Sequence, residues 1–311
     1  MNKQITVREA LTQRDTETFW RELRAYQTRD LYPNPKDEDR EYFLSDTEYR
    51  AQIETLHDRE HDRCRYLFFQ RGGQDIGFAL AVIYDTEDGK CFLLEFCVFP
   101  EFRGNGTGTS CARAFLDWAR ENGAKYTELN CNTGQRTRFW SRVGFLPNGR
   151  DEWGEPLMLL PPEETLPISV EKLSDPHDWQ LYKLENGFLA EIGEGCLDDG
   201  KKERLSSAIR EGRIHFFLAR RGYRAVGMCS AARHFSTFAC ADTAVFEDFY
   251  VEPAFRKQGA ARLLASAVQD WCREQRVASL TVGCAPCDAD MYRALGFTVH
   301  LGTMLAWDKG E

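Results

Sequence analysis

The sequence predicts two α/β (α+β) domains in tandem, and three observations support this fold class. The chain has 311 residues, longer than most single cores, and fits two domains of about 150 residues each. A strand–turn–helix motif occurs at residues 95–108 and again at 248–261, 153 positions later. Between the copies, residues 160–167 contain three prolines, which remove backbone donors and stop both helix and sheet.

The repeat around the motif is long. Between residues 93–122 and 246–275, 12 of 30 positions are identical at this fixed offset, whereas ordinary composition gives roughly two matches. Each repeated unit is large enough for its own core, so the pattern indicates a duplicated domain rather than a solenoid. We therefore expect domains at 1–160 and 168–311, joined by a proline-rich linker at 161–167.

Both halves predict the same order of elements. A short strand opens each half, charged amphipathic helices follow, and a hairpin comes next, with Gly72-Gly73 or Gly222 in its turn. The motif strand, its turn and a helix then lead to a further strand, a short helix and a closing strand. The expected strands are 5–8, 66–69, 76–83, 126–131 and 157–160 in the first half, and 168–171, 214–219, 225–231, 279–284 and 303–307 in the second.

The helix after each motif turn has an apolar face that we expect to meet the sheet. Residues of that face recur at helical spacing in both copies. They are Cys111, Phe115 and Trp118 in the first half, and Leu264, Val268 and Trp271 in the second.

Composition excludes several classes of protein. The chain is 42% hydrophobic and 29% charged, as in an ordinary soluble globular protein. Its net charge of −9 argues against a nucleic-acid binder, which needs basic surface to offset phosphates. The charge is compatible with cationic substrates, although solubility alone explains it. No run reaches the roughly 18 apolar residues of a membrane helix.

Location and redox state follow from the amino terminus and the cysteines. The first residues lack the apolar core of a signal peptide. The eleven cysteines are odd in number and scattered, many of them within apolar patterns, which suits a reducing compartment. We expect a cytoplasmic protein without a bound metal, because the pair Cys284 and Cys287 has no second cysteine pair to complete a zinc site.

The motif turn suits a phosphate-bearing ligand. Successive backbone N–H groups at a helix start hold pyrophosphate well, and side chains would block that approach. Small residues stand at these positions in both copies, with Arg103 or Arg256 adding positive charge beside them. The small residues are Gly104, Gly106 and Gly108, and then Gly259, Ala260 and Ala261.

In context, residues 103–108 (Arg-Gly-Asn-Gly-Thr-Gly) and 256–261 (Arg-Lys-Gln-Gly-Ala-Ala) resemble motif A of the GNAT superfamily of acyl-CoA-dependent N-acetyltransferases. The strand ends Val-Phe-Pro at 98–100 and Val-Glu-Pro at 251–253 are similar to those of that family. Residues 139–145 and 291–297 look like its motif B. The resemblance covers nearly the whole chain as two tandem units.

This resemblance implies, in each half, a mixed and mostly antiparallel sheet that splays after the motif strand, with acetyl-CoA as the cofactor in the opening. Pantetheine would pair with backbone at 96–98 and 249–251. The cofactor-binding residues so implied are Phe96, Val98, Arg103, Gly104, Asn105, Gly106, Thr107 and Gly108, and Phe249, Val251, Arg256, Lys257, Gln258, Gly259, Ala260 and Ala261.

Acetyl transfer to an amine needs a proton acceptor, because alkyl amines have a pKa near 10. Glu247 and Asp248 lie on the motif strand, and we expect them on opposite faces since strand side chains alternate. By resemblance to small-amine acetyltransferases, Glu247 is the favoured base or amine anchor. In the first half, Leu94 and Glu95 take these two positions, so the acid equivalent to Glu247 is missing.

The departing thiolate needs a proton donor. Motif B of the family often supplies a tyrosine near the coenzyme sulfur, and Tyr292 occupies that position in the second half. Trp140 stands at the matching position of the first half, and its indole N–H is too weak an acid for this role. The second half is therefore the favoured catalytic unit.

The sequence thus predicts an N-acetyltransferase that uses acetyl-CoA, acting on the primary amine of a small molecule such as a polyamine, an aminoglycoside or an amino-acid derivative. Acetylation of a protein or peptide amine stays open, as does a non-catalytic acyl-CoA-binding sensor. The expected partners are a small-molecule amine but neither nucleic acid nor membrane, in a monomer or homodimer. The acceptor, the acyl-chain preference and the number of working halves are left undecided.

Overall fold

The structure, a computed structural model, describes residues 4–151, 153–162 and 166–302. These residues form two compact units. The first holds residues 4–147 and 155–162, and the second holds 148–151, 153–154 and 166–302. The second unit also includes the short stretches 148–151 and 153–154, which precede the predicted linker.

The first half forms a seven-stranded sheet in the order β1-β2-β3-β4-β5-β7-β6. Neighbouring strands are antiparallel from β1 to β4 and between β5 and β7, and β4 and β5 are parallel, so the expected mixed, mostly antiparallel sheet is confirmed. The strands are β1 (Ile5–Glu9), β2 (Cys64–Arg71), β3 (Gln74–Tyr84), β4 (Lys90–Val98), β5 (Tyr126–Asn130), β6 (Leu146–Arg150) and β7 (Pro156–Leu160). The sequence prediction missed β6, whose proline and glycine disfavour strands.

The second half repeats this arrangement in a five-stranded sheet, ordered β12-β11-β10-β9-β8. β8 to β11 pair antiparallel and β11 pairs parallel with β12. The strands are β8 (Ile168–Lys172), β9 (Ile214–Arg221), β10 (Arg224–Ser236), β11 (Ala241–Val251) and β12 (Leu280–Val282). The closing strand expected at 303–307 lies outside the described residues.

Helices cover both sheets, and several begin at residues that accept backbone hydrogen bonds. Thr12 accepts from the N–H of Asp15 at 3.1 Å, and Asp178 accepts from the N–H of Gln180 at 2.9 Å. The helices are α1 (Gln13–Tyr26), α2 (Arg40–Phe43), α3 (Tyr49–His57), α4 (Thr107–Glu121), α5 (Gly134–Val143), α6 (Trp179–Ile192), α7 (Asp199–Arg210), α8 (Ala260–Glu274) and α9 (Ala289–Ala294). A π-helical turn, Gln27–Leu31, extends α1.

The predicted core faces of α4 and α8 are confirmed. Cys111 and Phe115 are fully buried with the sheet residues of the first half, and Leu264 and Val268 are fully buried in the second. Burying one such large side chain contributes roughly 1.5–3 kcal/mol. These two faces fix each helix on its sheet and thereby fix the turn before it. None of the helices in the described ranges has the length and apolar character needed to cross a bilayer.

Candidate active site

The turn before α4 has a backbone that only a few residue types adopt readily. Gly104, Asn105 and Gly106 have φ angles of +89°, +48° and +77°. Glycine adopts such angles without strain, and asparagine is the residue that tolerates them best after glycine. Gly106 is the residue before the helix, and its φ angle lets the chain turn directly from the strand into α4.

The turn before α8 has the same form with fewer glycines. Gly259 takes the place of Gly106, with a φ of +95°, while Lys257 replaces Gly104 and keeps a φ of +60°. A side chain in this left-handed region costs roughly 1–2 kcal/mol. The turn is therefore held in a strained conformation here, as is common at binding sites.

Both turns fit a bound diphosphate. Among the residues that the structure describes, no side chain caps the first N–H groups of α4 or α8. A Cβ atom built on Gly104, Gly106 or Gly259 would meet nothing within 4 Å, so the space in front of each turn is open. Uncapped N–H groups at a helix start, together with the helix dipole, favour an anion in that space.

The motif arginines hold the turn in place. Nε of Arg103 donates to the carbonyl of Val98 at 2.8 Å, and its guanidinium pairs with Asp30. Arg256 does the same in the second half, with Val251 at 2.8 Å and an ion pair to Glu191. From the sequence, these arginines were expected to add positive charge beside the turn; in the structure, each charge is paired with a carboxylate.

Each sheet opens after the first residues of its motif strand. The pairing of β4 with β5 ends at Phe92 opposite Glu128, and that of β11 with β12 ends at Phe246 opposite Val282. Residues 96–98 and 249–251 lie beyond these points. In the described part of the chain no strand pairs with them on that side, which leaves backbone groups available to a ligand. We call these openings the first gap and the second gap.

Carboxylates of the motif strand lie near the second gap. Asp248 has a φ of +47° at a bulge in the pairing of β10 and β11, so the regular alternation expected for Glu247 and Asp248 is interrupted. Asp248 accepts a hydrogen bond from Ser230 Oγ at 2.7 Å. Burial raises the pKa of Asp248, and burial followed by the charge of Asp248 raises the pKa of the more exposed Glu247.

A third carboxyl group was missed by the sequence analysis. Glu185 lies on α6 and is only 6% exposed. Burial, and then the nearby charge of Asp248, raise the pKa of Glu185 to about 8. Glu185 is four residues after Leu181 and next to Leu184, both of which are buried. An acid within the apolar stripe of a helix was the available signal, since unpaired acids are rarely buried.

Tyr292 lies beside the second gap. Its ring centroid is 6.1 Å from that of Phe249, 6.4 Å from Phe246 and 6.0 Å from Phe297. Burial, and then the charges of Cys284 and Asp288, raise the pKa of this phenol. Tyr292 therefore keeps its proton at neutral pH.

The first gap has a different acid. Glu95 is buried, and Gln27 and Tyr49 donate hydrogen bonds to its Oε1 at 3.4 and 3.2 Å. Burial raises the pKa of Glu95 to about 7, and the two hydrogen bonds only partly oppose that rise. Gln27 and Tyr49 also line a cavity of about 270 Å³ between α1 and the residues around α2 and α3. The first half therefore contains a titratable carboxyl group although Leu94 replaces Glu247.

Trp140 has a purely packing environment in the first half. It is 7% exposed and its ring centroid lies 5.1 Å from Phe96, 4.9 Å from Phe139 and 5.1 Å from Phe145. A buried tryptophan of this kind stabilises the core and offers no phenol.

The family comparison agrees with this geometry. The model of the acetyltransferase (GNAT) family matches residues 20–145 and 179–297. These two matches cover most of the chain, so the chain belongs to the GNAT acetyltransferase family. It is an acyltransferase with two such domains in tandem, and members of this family bind acetyl-CoA.

Solved structures resemble one half of the chain at a time. An aminoglycoside acetyltransferase from an uncultured soil metagenomic sample, solved with trehalose, is 17% identical, with a TM-score of 0.43 over 46% of this chain and 97% of its own. AAC(6')-Iy with a bisubstrate analogue is 21% identical (TM-score 0.40; 46% and 99%). Glucosamine-6-phosphate N-acetyltransferase from Arabidopsis thaliana is 15% identical (TM-score 0.38; 45% and 98%). No curated protein sequence matches the chain.

Proposed function

We propose that this protein transfers an acetyl group from acetyl-CoA to the primary amine of a small molecule, and that the second half is the catalytic unit. One observation carries the proposal. Around the second gap, protonated Tyr292 and three carboxyl groups accompany an open phosphate-binding turn. Acid, base and anion site are the three components that this reaction requires.

Binding relies mainly on backbone. The first N–H groups of α8, behind Gly259, hold the diphosphate, and the free edge of residues 249–251 aligns the pantetheine arm. When bound, acetyl-CoA supplies the activated acetyl thioester. Holding donor and acceptor together in the second gap reduces the entropic part of the barrier.

Proton transfer is assigned to side chains around the second gap. Glu247, the more exposed acid, anchors the incoming ammonium group and accepts its proton. Burial and the nearby charge of Asp248 raise the pKa of Glu185 to about 8, so Glu185 is mostly protonated at neutral pH and an incoming ammonium group would favour its ionised form. Tyr292, whose raised pKa keeps the phenol protonated, would give its proton to the departing thiolate and regain one from the nitrogen of the attacking amine.

The acceptor class follows from the same charges. A polyamine, an aminoglycoside or an amino-acid derivative brings an ammonium group that carboxylates attract. A protein or peptide amine is the alternative acceptor. For the first half, buried Trp140 at the position of Tyr292 favours acyl-CoA binding without turnover, as a sensor.

The test measures thiol release from acetyl-CoA in the presence of a panel of amines: a diamine, a polyamine, an aminoglycoside, free amino acids and a peptide with a free amino terminus. We expect a small amine to accelerate release, and Glu247→Gln to reduce that acceleration by about 10- to 100-fold. Acceleration by the peptide alone would favour the alternative acceptor. Tight binding of acetyl-CoA without release for any amine would favour the sensor.

A further inference from the structure

A different arginine contacts each phosphate-binding turn and has no charge partner in the described part of the chain. Arg71, the last residue of β2, donates from Nη2 to Thr107 Oγ1 at 3.1 Å, and Thr107 is the first residue of α4. Arg221, the last residue of β9, donates from Nη2 to Gln258 Oε1 at 2.7 Å, and Gln258 directly precedes Gly259. Both partners are neutral oxygen atoms.

Neither guanidinium has a carboxylate partner within residues 4–151, 153–162 and 166–302. Both side chains are partly buried, and Nε of Arg221 is buried without any hydrogen-bond partner. The Cζ atom of Arg221 lies 5.4 Å from the ring centroid of Phe255. A guanidinium has five N–H donors in a planar fork, and one neutral contact leaves most of them available.

The two halves reach this arrangement through different contacts. Thr107 supplies a hydroxyl in the first half, but Ala260 has that position in the second and offers none. Arg221 uses Gln258 instead. The arginine stays beside the turn although its neighbour changes, which indicates that the hairpin, and not one partner, determines its place. In sequence, both arginines come directly before the first glycine of the hairpin turn.

The two arginines beside each turn therefore have different roles. Arg103 and Arg256 are neutralised by Asp30 and Glu191 and fix the strand end. Arg71 and Arg221 have no carboxylate partner among the described residues, and they contact the turn at the start of the helix. We propose that Arg71 and Arg221 each bind a phosphate group of coenzyme A. This inference rests on the proposed use of coenzyme A by the chain.

The experiment measures calorimetric binding of coenzyme A and of 3'-dephospho-coenzyme A to the full chain and to Arg71→Gln and Arg221→Gln. Each variant should weaken coenzyme A binding in its own half about tenfold, the usual effect of losing one charge-assisted hydrogen bond. It should also reduce the dependence of affinity on salt. Arg113→Gln and Arg204→Gln are the controls, because both arginines are exposed, lie on α4 and α7 and change the net charge equally.

The two ligands distinguish the phosphates. A loss seen with coenzyme A but not with the dephospho form assigns the arginine to the 3'-phosphate, and an equal loss with both assigns it to the diphosphate. Arg71→Lys and Arg221→Lys should recover part of the affinity, which a packing defect would not allow. Wild-type affinity in both glutamine variants would overturn the inference while leaving the proposed function intact, whereas a wild-type chain that does not bind coenzyme A would overturn both.

Discussion

The two halves have closely similar turns before α4 and α8 but different acids beside the gap. Gly106 and Gly259 have nearly the same backbone angles, and Arg103 and Arg256 make the same pair of contacts. In the first half, the buried carboxyl group of Glu95 accepts two hydrogen bonds from neutral donors, both at Oε1. In the second half, the charge of Asp248 acts on both Glu185 and Glu247, and only Asp248 among these three accepts a hydrogen bond in the described part of the chain.

This difference distinguishes the backbone groups needed to bind a coenzyme from the side chains needed to catalyse a reaction. A diphosphate is held by main-chain N–H groups, so the turn keeps its backbone shape while its side chains change. Acid–base chemistry depends on side chains, and these have diverged: Tyr292 is replaced by Trp140, and Glu247 by Leu94. The comparison predicts that both halves retain the anion site and that they differ in turnover.

The largest expected effect is on the turn itself. Gly259→Glu places a negative side chain in the open space before α8, and should weaken coenzyme A binding in the second half by at least about 100-fold, through repulsion and blocked N–H groups. Gly106→Glu should do the same in the first half. Calorimetric titration of each variant should show one binding site fewer than wild type.

Backbone strain needs its own control, because glutamate at a left-handed position is unfavourable by roughly 1 kcal/mol or more. Gly123 has a φ of +96° and nothing within 4 Å of a built Cβ, as at Gly259, but it lies at the far end of α4. Gly123→Glu should leave the number of sites unchanged. If Gly259→Glu also retains every site, the turn does not hold the coenzyme.

The next effect concerns the motif B residues. Tyr292→Phe should lower kcat by about 10- to 100-fold with little change in acetyl-CoA affinity, because the ring contacts remain and only the proton donor is lost. Trp140→Phe is the matched change in the first half. It should lower the free energy of unfolding by about 1–3 kcal/mol, since a buried ring becomes smaller, and leave kcat unchanged. Unaltered kcat in Tyr292→Phe would exclude the acid role.

Sequence alone predicted the fold well, because hairpin turns, helix faces and the motif are local patterns. It identified the turn and Tyr292 as site candidates for the same reason. Glu185 and the hydrogen-bond partners of Glu95 were missed. These residues lie far from the motif strand in sequence and approach it only in the folded protein. The pairing of Arg103 and Arg256 with acids on preceding helices was missed for the same reason: the contacts span 73 and 65 residues, and no local signal reports them.

The smallest effect is a dependence of stability on pH that distinguishes the two buried acids. The pKa of Glu95 is raised to about 7 in the folded protein, above its ordinary value of 4.5. At pH values between these two pKa values, Glu95 keeps its proton in the folded state but has lost it in the unfolded state. The free energy of unfolding therefore falls as the pH rises through this range. Glu95→Gln removes the effect. It should match wild type near pH 5 and exceed its stability at pH 8 by about 1–2 kcal/mol.

Urea unfolding at pH 5, 6, 7 and 8 measures this difference, and Glu185→Gln provides the comparison. The pKa of Glu185 is raised to about 8, so its stability difference from wild type should keep growing between pH 7 and 8, where that of Glu95→Gln levels off. The two curves separate because Glu95 has two hydrogen-bond donors that favour its ionised form, whereas Glu185 faces the charge of Asp248. Identical pH dependence in the two variants would mean that the pKa values of Glu95 and Glu185 in the folded protein do not differ.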